Sequence, residues 1–424
     1  MEENNNMKLA LKGGILIDGT GKDPIEKSLV LIDDRKIVYA GPDKVIPSEY
    51  KVRDITGNVV MPGLIDTHLH FCGNLSSDDT DWVMEPLYQK AVCSVAQAKE
   101  ALEHGLTSVG EISRFGIDLR NMIEQGVVPG PRTITTGLGF CRTAGHGDSH
   151  RLPLEYNKAS HPWAERIDGP WDLRKAVRRR IRENPDAIKI WATGGGIWRL
   201  ERKADQHYCF EEIKAVVDEA SMVGLPVWSH CEGYSGSLDS ARAGVSCIIH
   251  GQELNEETLD IMKEKDITFC PTMQFFYEWY SEYEPPYRPV LDNYPGCTIA
   301  EKELNRTIAN FQAAVEKGIR IVVGSDSFCS TLTPYGKYAI TEAKTLAKSG
   351  LTPMQMIMAA TKNGAEMLKI DDITGTVEAD KFADILILSR NPLEDVDNLD
   401  VDNMLVIMKE GQMVKGQDFL EAAI

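Results

Sequence analysis

The middle of the chain alternates between two hydrophobic patterns, and this alternation restricts the fold more than any other feature. Short apolar runs are typical of strands, namely TSVGEI, RTITTG, AIKIWA, PVWSHC, SCIIHG, ITFCPT and RIVVGSD. Stretches such as EEIKAVVDEASMVG and TPMQMIMAATKNGAEML have the period of an amphipathic helix. Strands alternating with helices favour a parallel sheet with crossover helices. About eight units fit if the strand before His68 is counted, which predicts a closed (β/α)8 barrel, with a doubly wound sheet as the alternative.

The two ends of the chain have a different pattern, that of β structure. LALKGGILIDGTG and SLVLIDDRKIVYAG near the start, and ADILIL and NMLVIMKEGQMVKG near the end, are short apolar runs broken by turn signals. A chain of 424 residues suits a barrel of roughly 250–300 residues with a smaller companion domain. We therefore predict an α/β protein with a barrel over residues 63–371 and a small β-sandwich domain built from residues 1–62 and 372–424.

Barrel active sites form at the carboxyl ends of the strands, so the polar residues there are candidate site residues. His68 and His70 lie two residues apart and would project from one face of a strand, where they could chelate a cation. Two surface histidines are the alternative.

Lys189 lies inside the apolar run AIKIW, where a buried ammonium is costly unless it is paired or neutralised. A neutral amine there could add carbon dioxide and become a carbamate that bridges two metals; pairing with a buried acid is the alternative.

Three further strand ends carry metal-ligand chemistry. His230 and His250 each end an apolar run, twenty residues apart, and Asp326 follows the run in RIVVGSD. Each has an ordinary alternative, a core histidine bonded to a carbonyl or a helix N-cap carboxylate. Taken together, four imidazoles, one lysine and one carboxylate at the ends of separate strands favour a site for zinc or a similar ion, which takes nitrogen and oxygen ligands.

These segments resemble a known family. MPGLIDTHLH, the AIKIWATGG strand with its lysine, the two later histidines and GSD are similar to the motifs of the amidohydrolase superfamily. The closest likeness is to its imidazolonepropionase-related branch, which includes metal-dependent dipeptidases (prolidase-like and arginine-carboxypeptidase-like) and amide hydrolases. GGILIDGTG and ITGTVEADKFADILILSRNPLEDV resemble the small β domain of that branch, so the likeness covers nearly the whole chain.

The resemblance implies a centre of two divalent ions, of which zinc is the expected identity. It implies that His68, His70 and Asp326 hold one metal, that His230 and His250 hold the other, and that N6-carboxylated Lys189 bridges them. A hydroxide shared by two cations is a nucleophile at neutral pH. The resemblance further implies that Asp326 takes the proton of the attacking hydroxide and passes it to the leaving amine.

Substrate contacts are predicted less directly. The segment TAGHGDSH, residues 143–150, is similar to a GGHG loop of the branch, so His146 resembles a ligand of the substrate carbonyl. The aromatic and acidic segment 273–289 is either a cover over the substrate or packing at the barrel rim. Glu232 stands where many relatives have histidine or tyrosine, which weakens any transfer of substrate specificity. The other candidate contacts are Arg142, Trp198, Arg199 and Tyr234.

The composition limits which binding partners and which cellular compartment are expected. The net charge of −18 disfavours nucleic acid and anionic membrane as partners, which leaves a small-molecule substrate. The sequence has neither a signal-peptide pattern nor an apolar run of the ~18 residues that a membrane span needs. Nine cysteines without CxxC pairs fit a reducing compartment. We therefore expect a cytoplasmic protein, and the resemblance suggests a homo-oligomer.

The predicted function is hydrolysis of an amide carbon–nitrogen bond in a dipeptide, an N-acyl amino acid or a cyclic amide. One alternative is a mononuclear deaminase of a heterocycle, which Lys189 disfavours and Glu232 keeps open. The other alternative is a non-catalytic scaffold without metal. Two, one or no metal equivalents per chain would distinguish these three functions.

Overall fold

The structure is a computed structural model, and it describes residues 8–76, 78–154, 163–198, 201–280 and 299–421. The N-terminal part is a run of short strands with buried apolar side chains. One four-stranded sheet has the order β4-β3-β1-β5, in which only the β1–β5 pair is parallel. The strands of this part are β1 Lys8–Lys12, β2 Ile15–Leu16, β3 Ser28–Asp33, β4 Lys36–Pro42, β5 Lys51–Asp54 and β6 Val59–Pro62.

The central part contains two parallel sheets. A three-stranded sheet has the order β7-β8-β9, and a six-stranded sheet has the order β11-β10-β12-β13-β14-β15. Most of these strands are buried along their whole length, as expected for parallel strands covered on both faces. The strands are β7 Leu64–Leu69, β8 Leu106–Glu111, β9 Arg132–Thr135, β10 Gly139–Cys141, β11 Ala164–Arg166, β12 Ile188–Trp191, β13 Val227–Cys231, β14 Cys247–His250 and β15 Thr268–Cys270.

The segment 320–327 lies between the free edges of the two parallel sheets. It was predicted as a strand, but it makes only isolated parallel bridges, Phe269 with Ile321 and Leu69 with Ser327. On the other side, the N–H of Asp186, two residues before β12, donates to the carbonyl of Thr135 at the end of β9 over 2.8 Å. Ladder pairing between β9 and β10 is absent from the described residues, so the two sheets are linked by bridges rather than by one continuous ladder.

Strands from the two ends of the chain share one sheet. Its order is β18-β17-β16-β6-β2, and β6 pairs antiparallel with β16, placing Pro62 opposite Ile385. Alternating residues of β16 and β17 pack against the N-terminal strands in one apolar cluster. The three C-terminal strands are β16 Ile385–Leu388, β17 Met404–Lys409 and β18 Gln412–Lys415.

Helices cross over between the parallel strands and pack their apolar faces on them. The stretch TPMQMIMAATKNGAEML, predicted as continuously helical, forms two helices, because Thr361 leaves the helical region with φ −142° and ψ −92°. The helices are α1 Asp79–Met84, α2 Leu87–Glu103, α3 Gly116–Glu124, α4 Pro170–Arg182, α5 Phe210–Ser221, α6 Tyr234–Ala243, α7 Glu256–Glu264, α8 Met273–Glu278, α9 Glu301–Glu316, α10 Lys337–Ser349, α11 Pro353–Ala359, α12 Lys362–Leu368 and α13 Gln417–Glu421, with short 3-10 turns at Val396–Asn398 and Val401–Asn403.

Candidate metal centre

Three of the predicted ligands lie in contact at the carboxyl end of β7. The Nε2 atoms of His68 and His70 are 3.2 Å and 2.9 Å from Oδ1 of Asp326. Among the described residues, these three side chains are the group whose ligand atoms are close enough together to hold one ion. We refer to His68, His70 and Asp326 as the first half of the centre.

Hydrogen bonds behind the first half fix its orientation. The Nδ1 atom of His70 is 2.7 Å from the carbonyl of Ile112, and a proton on Nδ1 leaves the Nε2 lone pair facing Asp326. Asp66 is fully buried and accepts from the backbone of His68 at 3.1 Å and from Ser325 Oγ at 2.5 Å. Asp66 therefore joins the end of β7 to the segment that carries Asp326.

His230 and His250 form a second pair of imidazoles beside the first half. Their ring centroids are 4.5 Å apart, and the ring of His250 is 5.7 Å from that of His68. Nε2 of His230 is 3.2 Å from the carbonyl of Gly194, and Nδ1 of His250 is 2.7 Å from Thr272 Oγ1. If those nitrogens donate, Nδ1 of His230 and Nε2 of His250 keep their lone pairs. Burial lowers the pKa of both rings well below the usual value, so both are neutral and able to bind metal.

Lys189 lies beneath both groups with its amine sequestered. The residue is 1% exposed, and its Nζ atom has no hydrogen-bond partner. Burial lowers the pKa of Lys189 to about 8, so the neutral amine is far more populated near neutral pH than in an ordinary lysine. Gly139 makes room for it, because a Cβ there would lie 2.8 Å from Lys189 Cγ. The alternative expected for this lysine, a hydrogen bond to a buried acid, is absent from its described contacts. We refer to His230, His250 and Lys189 as the second half.

Two of the predicted ligands have unusual backbone conformations. His250 and Asp326 adopt left-handed φ values of 72° and 56°, and Thr272 beside His250 has φ 46°. Such conformations are uncommon for residues other than glycine and are often found at functional sites. They turn the side chains at the strand ends toward the same space.

His146 lies against the second half of the centre. Its ring stacks on that of His230 with centroids 4.6 Å apart, and Nδ1 is 2.8 Å from Oε1 of the buried Glu201. Burial alone would favour the neutral ring, but the Glu201 carboxylate raises the pKa of His146 above its usual value. The protonated ring offers Nε2–H as a donor. Gly195 allows this packing, because a Cβ there would lie 2.1 Å from the His146 ring.

One cavity is lined by five of the six predicted ligands, that is, by all except Lys189. His146 and Glu232 line the same cavity. The cavity has an empty volume of about 850 Å³, part of it open to solvent. Most of its remaining wall is aromatic. These lining residues are Trp82, Trp163, Trp191, Phe275, Phe276, Trp279 and Phe328, with Ile197.

The other predicted substrate contacts do not line the cavity. The Trp198 indole N–H donates to the backbone carbonyl of His146 over 2.7 Å, so Trp198 supports that loop instead. The Tyr234 hydroxyl accepts from Asn255 outside the cavity. Arg142 is half-buried away from the lining, with an Nε atom that has no hydrogen-bond partner. Arg199 lies outside the described residues.

The aromatic segment predicted as a cover or as packing is described only as far as residue 280. Its first part is α8, where Phe275 and Phe276, followed by Trp279, line the cavity. Glu342 on α10 accepts the backbone N–H groups of Met273 and Gln274, which fixes α8 in place. Residues 281–289 of the segment lie outside the described residues.

Sequence reasoning missed several residues that surround the site. Glu201 holds His146, Trp163 packs on His70, and Trp82 on α1 packs on Trp163, but none of them ends a predicted strand. In the sequence, Glu201 is recognisable only as a charged residue shortly after a Gly-rich segment, and this does not indicate which residue it pairs with.

Comparison with known proteins agrees with this geometry. The profile described as "Amidohydrolase family" matches residues 59–414, and the chain therefore belongs to the amidohydrolase family. This confirms the predicted superfamily. The family and its hydrolase relatives identify the protein as a hydrolase that acts on carbon–nitrogen bonds.

Individual relatives cover almost the whole chain. Ochratoxinase of Aspergillus niger is 28% identical over 431 residues, which cover 95% of this chain and 86% of that protein. The crystal structure of A. niger ochratoxinase superposes with a TM-score of 0.86 at 25% identity, over 97% of this chain and 96% of that one. A Xaa-Pro dipeptidase with methionine bound in its active site gives a TM-score of 0.83 at 26% identity, and the superposition covers 96% of this chain and 100% of that one.

A more distant relative belongs to the predicted branch. Imidazolonepropionase of Thermoanaerobacter pseudethanolicus is 21% identical over 420 residues, covering 89% of this chain and 86% of that protein. Within the described part of this chain, none of the helices has the length and apolar character needed to cross a membrane.

Proposed function

We propose that this protein hydrolyses an amide bond in a small molecule, namely a dipeptide, an N-acyl amino acid or a cyclic amide, with two divalent metal ions. The observation that carries the proposal is the buried Lys189 amine, which has no hydrogen-bond partner and interacts electrostatically with Asp326 and with three of the four histidines. The neutral imidazoles and the nitrogen and oxygen donor set fit Zn²⁺. We propose that His68, His70 and Asp326 hold one ion and His230 and His250 the other.

Lys189 would complete the centre by carboxylation. Its neutral amine adds carbon dioxide and releases one proton, which leaves a carbamate with one negative charge and two oxygens. Without it, Asp326 would be the only anion among the six side chains, and two adjacent cations repel each other. The sequestered Nζ atom is placed for this role, since a buried ammonium without a partner is costly.

The chain's own residues supply proton transfer and orientation. Metal ions bound there would lower the pKa of water and polarise a carbonyl oxygen. Asp326 would accept the proton of the attacking water and deliver it to the leaving nitrogen. His146, with Nδ1 held by Glu201, would donate from Nε2 to the carbonyl oxygen of the substrate. The aromatic wall would exclude water from the bound substrate.

We also propose that the central strands close into a (β/α)8 barrel over residues 63–371, with residues 1–62 and 372–424 as one small domain. The bridges of segment 320–327 to both parallel sheets support the closure. The pairing of β6 with β16 supports the second domain. A homo-oligomer in the cytoplasm completes the proposal; exposed apolar side chains on and beside α2, including Tyr88 and Val92, offer a surface for association.

A mononuclear deaminase is the second candidate. Glu232 favours it, because a buried carboxylate near a metal-bound imidazole could act as the acid–base group. The buried Lys189 has no role in that mechanism.

The test combines a substrate screen with metal analysis. Purified protein is assayed against dipeptide and N-acyl amino acid libraries while bound metal is measured by elemental analysis. We expect amide hydrolysis and two equivalents of metal per chain. Ammonia release from heterocycles with one equivalent would support the deaminase and contradict the proposal.

A further inference from the structure

The face of α10 that packs against α8 is polar although it is buried. Tyr338, Glu342 and Thr345 are spaced by four and three residues, so they share one face of the helix, and Glu342 is 0% exposed. Thr345 donates to the side-chain oxygen of Gln274 on α8 over 2.6 Å. A buried carboxylate is costlier than an apolar side chain in the same place. Its presence suggests that α8 needs one defined position, which a purely apolar contact would not specify.

Two carboxylates hold the opposite ends of α8. At the start of the helix, Glu342 accepts the N–H groups of Met273 and Gln274 over 2.8 Å and 2.7 Å, one with each oxygen. At its end, Glu278 accepts from the Tyr338 hydroxyl and, over 2.7 Å, from the side-chain amide of Gln274. The helix is therefore fixed at both ends by groups that require a particular register with α10.

The start of α8 is also where the second half of the metal centre is oriented. Thr272 immediately precedes the helix with φ 46°, and its Oγ1 atom lies 2.7 Å from Nδ1 of His250. A left-handed backbone is unusual for a β-branched residue and persists only where neighbouring contacts hold it. The bonds to Glu342 begin at the next residue, Met273. Without them, Thr272 could relax and its hydroxyl would move away from His250.

The same helix carries part of the aromatic wall. Phe275 and Phe276 line the cavity, and the Phe275 ring packs edge-on against that of Trp279, with centroids 4.9 Å apart. The Phe275 ring also lies 5.7 Å from the ring of Tyr338, so α10 contacts the wall directly. A shift of α8 would therefore change the shape of the cavity together with the orientation of His250.

From these contacts we infer that Glu342 is a positioning residue that sets two parts of the site at once, the contact between Thr272 and His250 and the aromatic wall on α8. The described lining of the cavity does not include Glu342, so it acts through the helix. The metal part of this inference rests on the proposed function, whereas the wall part does not. Glu278 holds the other end of α8, so it should affect the wall alone.

The direct test is a double-mutant cycle measured by metal titration. Glu342→Gln keeps the shape of the side chain, but its NH2 group cannot accept the second backbone N–H. It should weaken the binding of one metal equivalent by roughly 3- to 10-fold and leave the other unchanged. In the Thr272→Ala background the same change should add less than about twofold, because the contact through which it acts is already absent.

Glu278→Gln is the matched control at the other end of α8 and should leave both metal affinities unchanged. Glu342→Asp keeps the charge but is one methylene shorter, and it should give a smaller effect in the same direction; it replaces Glu342→Gln if that variant does not fold. Effects of equal size in the wild-type and Thr272→Ala backgrounds would make Glu342 a merely structural residue. That result overturns the inference, as does unchanged metal affinity in both Glu342 variants.

A second measurement reports the position of the wall and does not depend on metal. The protein is labelled with 5-fluorotryptophan, and the fluorine NMR signals of Trp279 and Trp171 are assigned from Trp279→Phe and Trp171→Phe. Glu342→Gln and Glu278→Gln should each shift or broaden the Trp279 signal, while that of Trp171, exposed on α4, stays in place. An unchanged Trp279 signal in Glu342→Gln overturns the inference. If the wild type binds no metal, the proposed function fails, and the fluorine signals still decide whether Glu342 positions α8.

Discussion

Each half of the candidate centre contains two imidazoles, but the third side chain is a carboxylate in the first half and an amine in the second. In the first half, His68 and His70 contact the Asp326 carboxylate at 3.2 Å and 2.9 Å, so an anion is already present. In the second half, none of the three residues is an anion, since His230 and His250 are joined by the Lys189 amine, which has no hydrogen-bond partner. The amino-acid sequence itself supplies the anion of the first half, whereas the second half would gain its anion only when Lys189 is carboxylated.

The comparison predicts that each half fails in a different way. Changes in the first half should remove metal and proton transfer together. Changes in the second half, or in the groups that orient it, should reduce metal affinity while the first half still binds.

The largest effect is expected for Asp326→Asn. The amide lacks the negative charge and cannot accept the proton of the attacking water, so activity should fall by about two to four orders of magnitude. Metal analysis of the same variant should show less than two equivalents. Asp260→Asn is the control, since it changes an exposed aspartate that pairs with Lys317. Full metal content with normal turnover in Asp326→Asn would mean that the first half is not the reacting centre.

His146→Ala should produce the next largest effect. Loss of one donor to the substrate carbonyl should lower kcat/KM by about two to three orders of magnitude. Both metals should remain, because His146 is held by Glu201 and is not one of the predicted ligands. His150→Ala makes the same change in the same loop and serves as the control. Loss of metal from His146→Ala would instead identify this side chain as a ligand.

Thr272→Ala tests the orientation of the second half alone. Removing the hydroxyl that lies 2.7 Å from Nδ1 of His250 should weaken metal binding by about 10- to 100-fold. Metal titration should show this weakening for one equivalent and leave the other unchanged. Thr272→Ser retains the hydroxyl and should behave as the wild type. If the affinity for both metal equivalents fell to the same degree, the two halves would not be oriented by independent hydrogen bonds.

The sequence identified which side chains meet at the candidate centre, because most of them lie at or next to the end of an apolar strand. The positions of His68, His70, His230 and His250 follow from strand periodicity and from the shared edge of parallel strands. Lys189 could be found because a charged residue in the middle of an apolar strand is unusual.

The residues that reach the site from loops could not be predicted. Glu201 contacts His146 although the two are fifty-five residues apart in the chain, and the aromatic wall combines side chains from loops, from α1 and α8 and from the end of β12. Tyr234 does not line the cavity, because α6 begins after Gly233 and the Tyr234 hydroxyl accepts from Asn255. The break at Thr361 was missed because the helical period continues through it.

The most direct test of the central claim is the metal content of Lys189 variants, measured together with turnover. Wild type prepared with bicarbonate should contain two equivalents per chain, and Lys189→Ala should lose the two-metal centre and activity together. Propionate or acetate should restore part of both by supplying a carboxylate in the vacated space. Lys189→Arg should not recover, because a guanidinium stays cationic and cannot form a carbamate. Two metals and near-normal turnover in Lys189→Arg would contradict the account and make this lysine a structural residue.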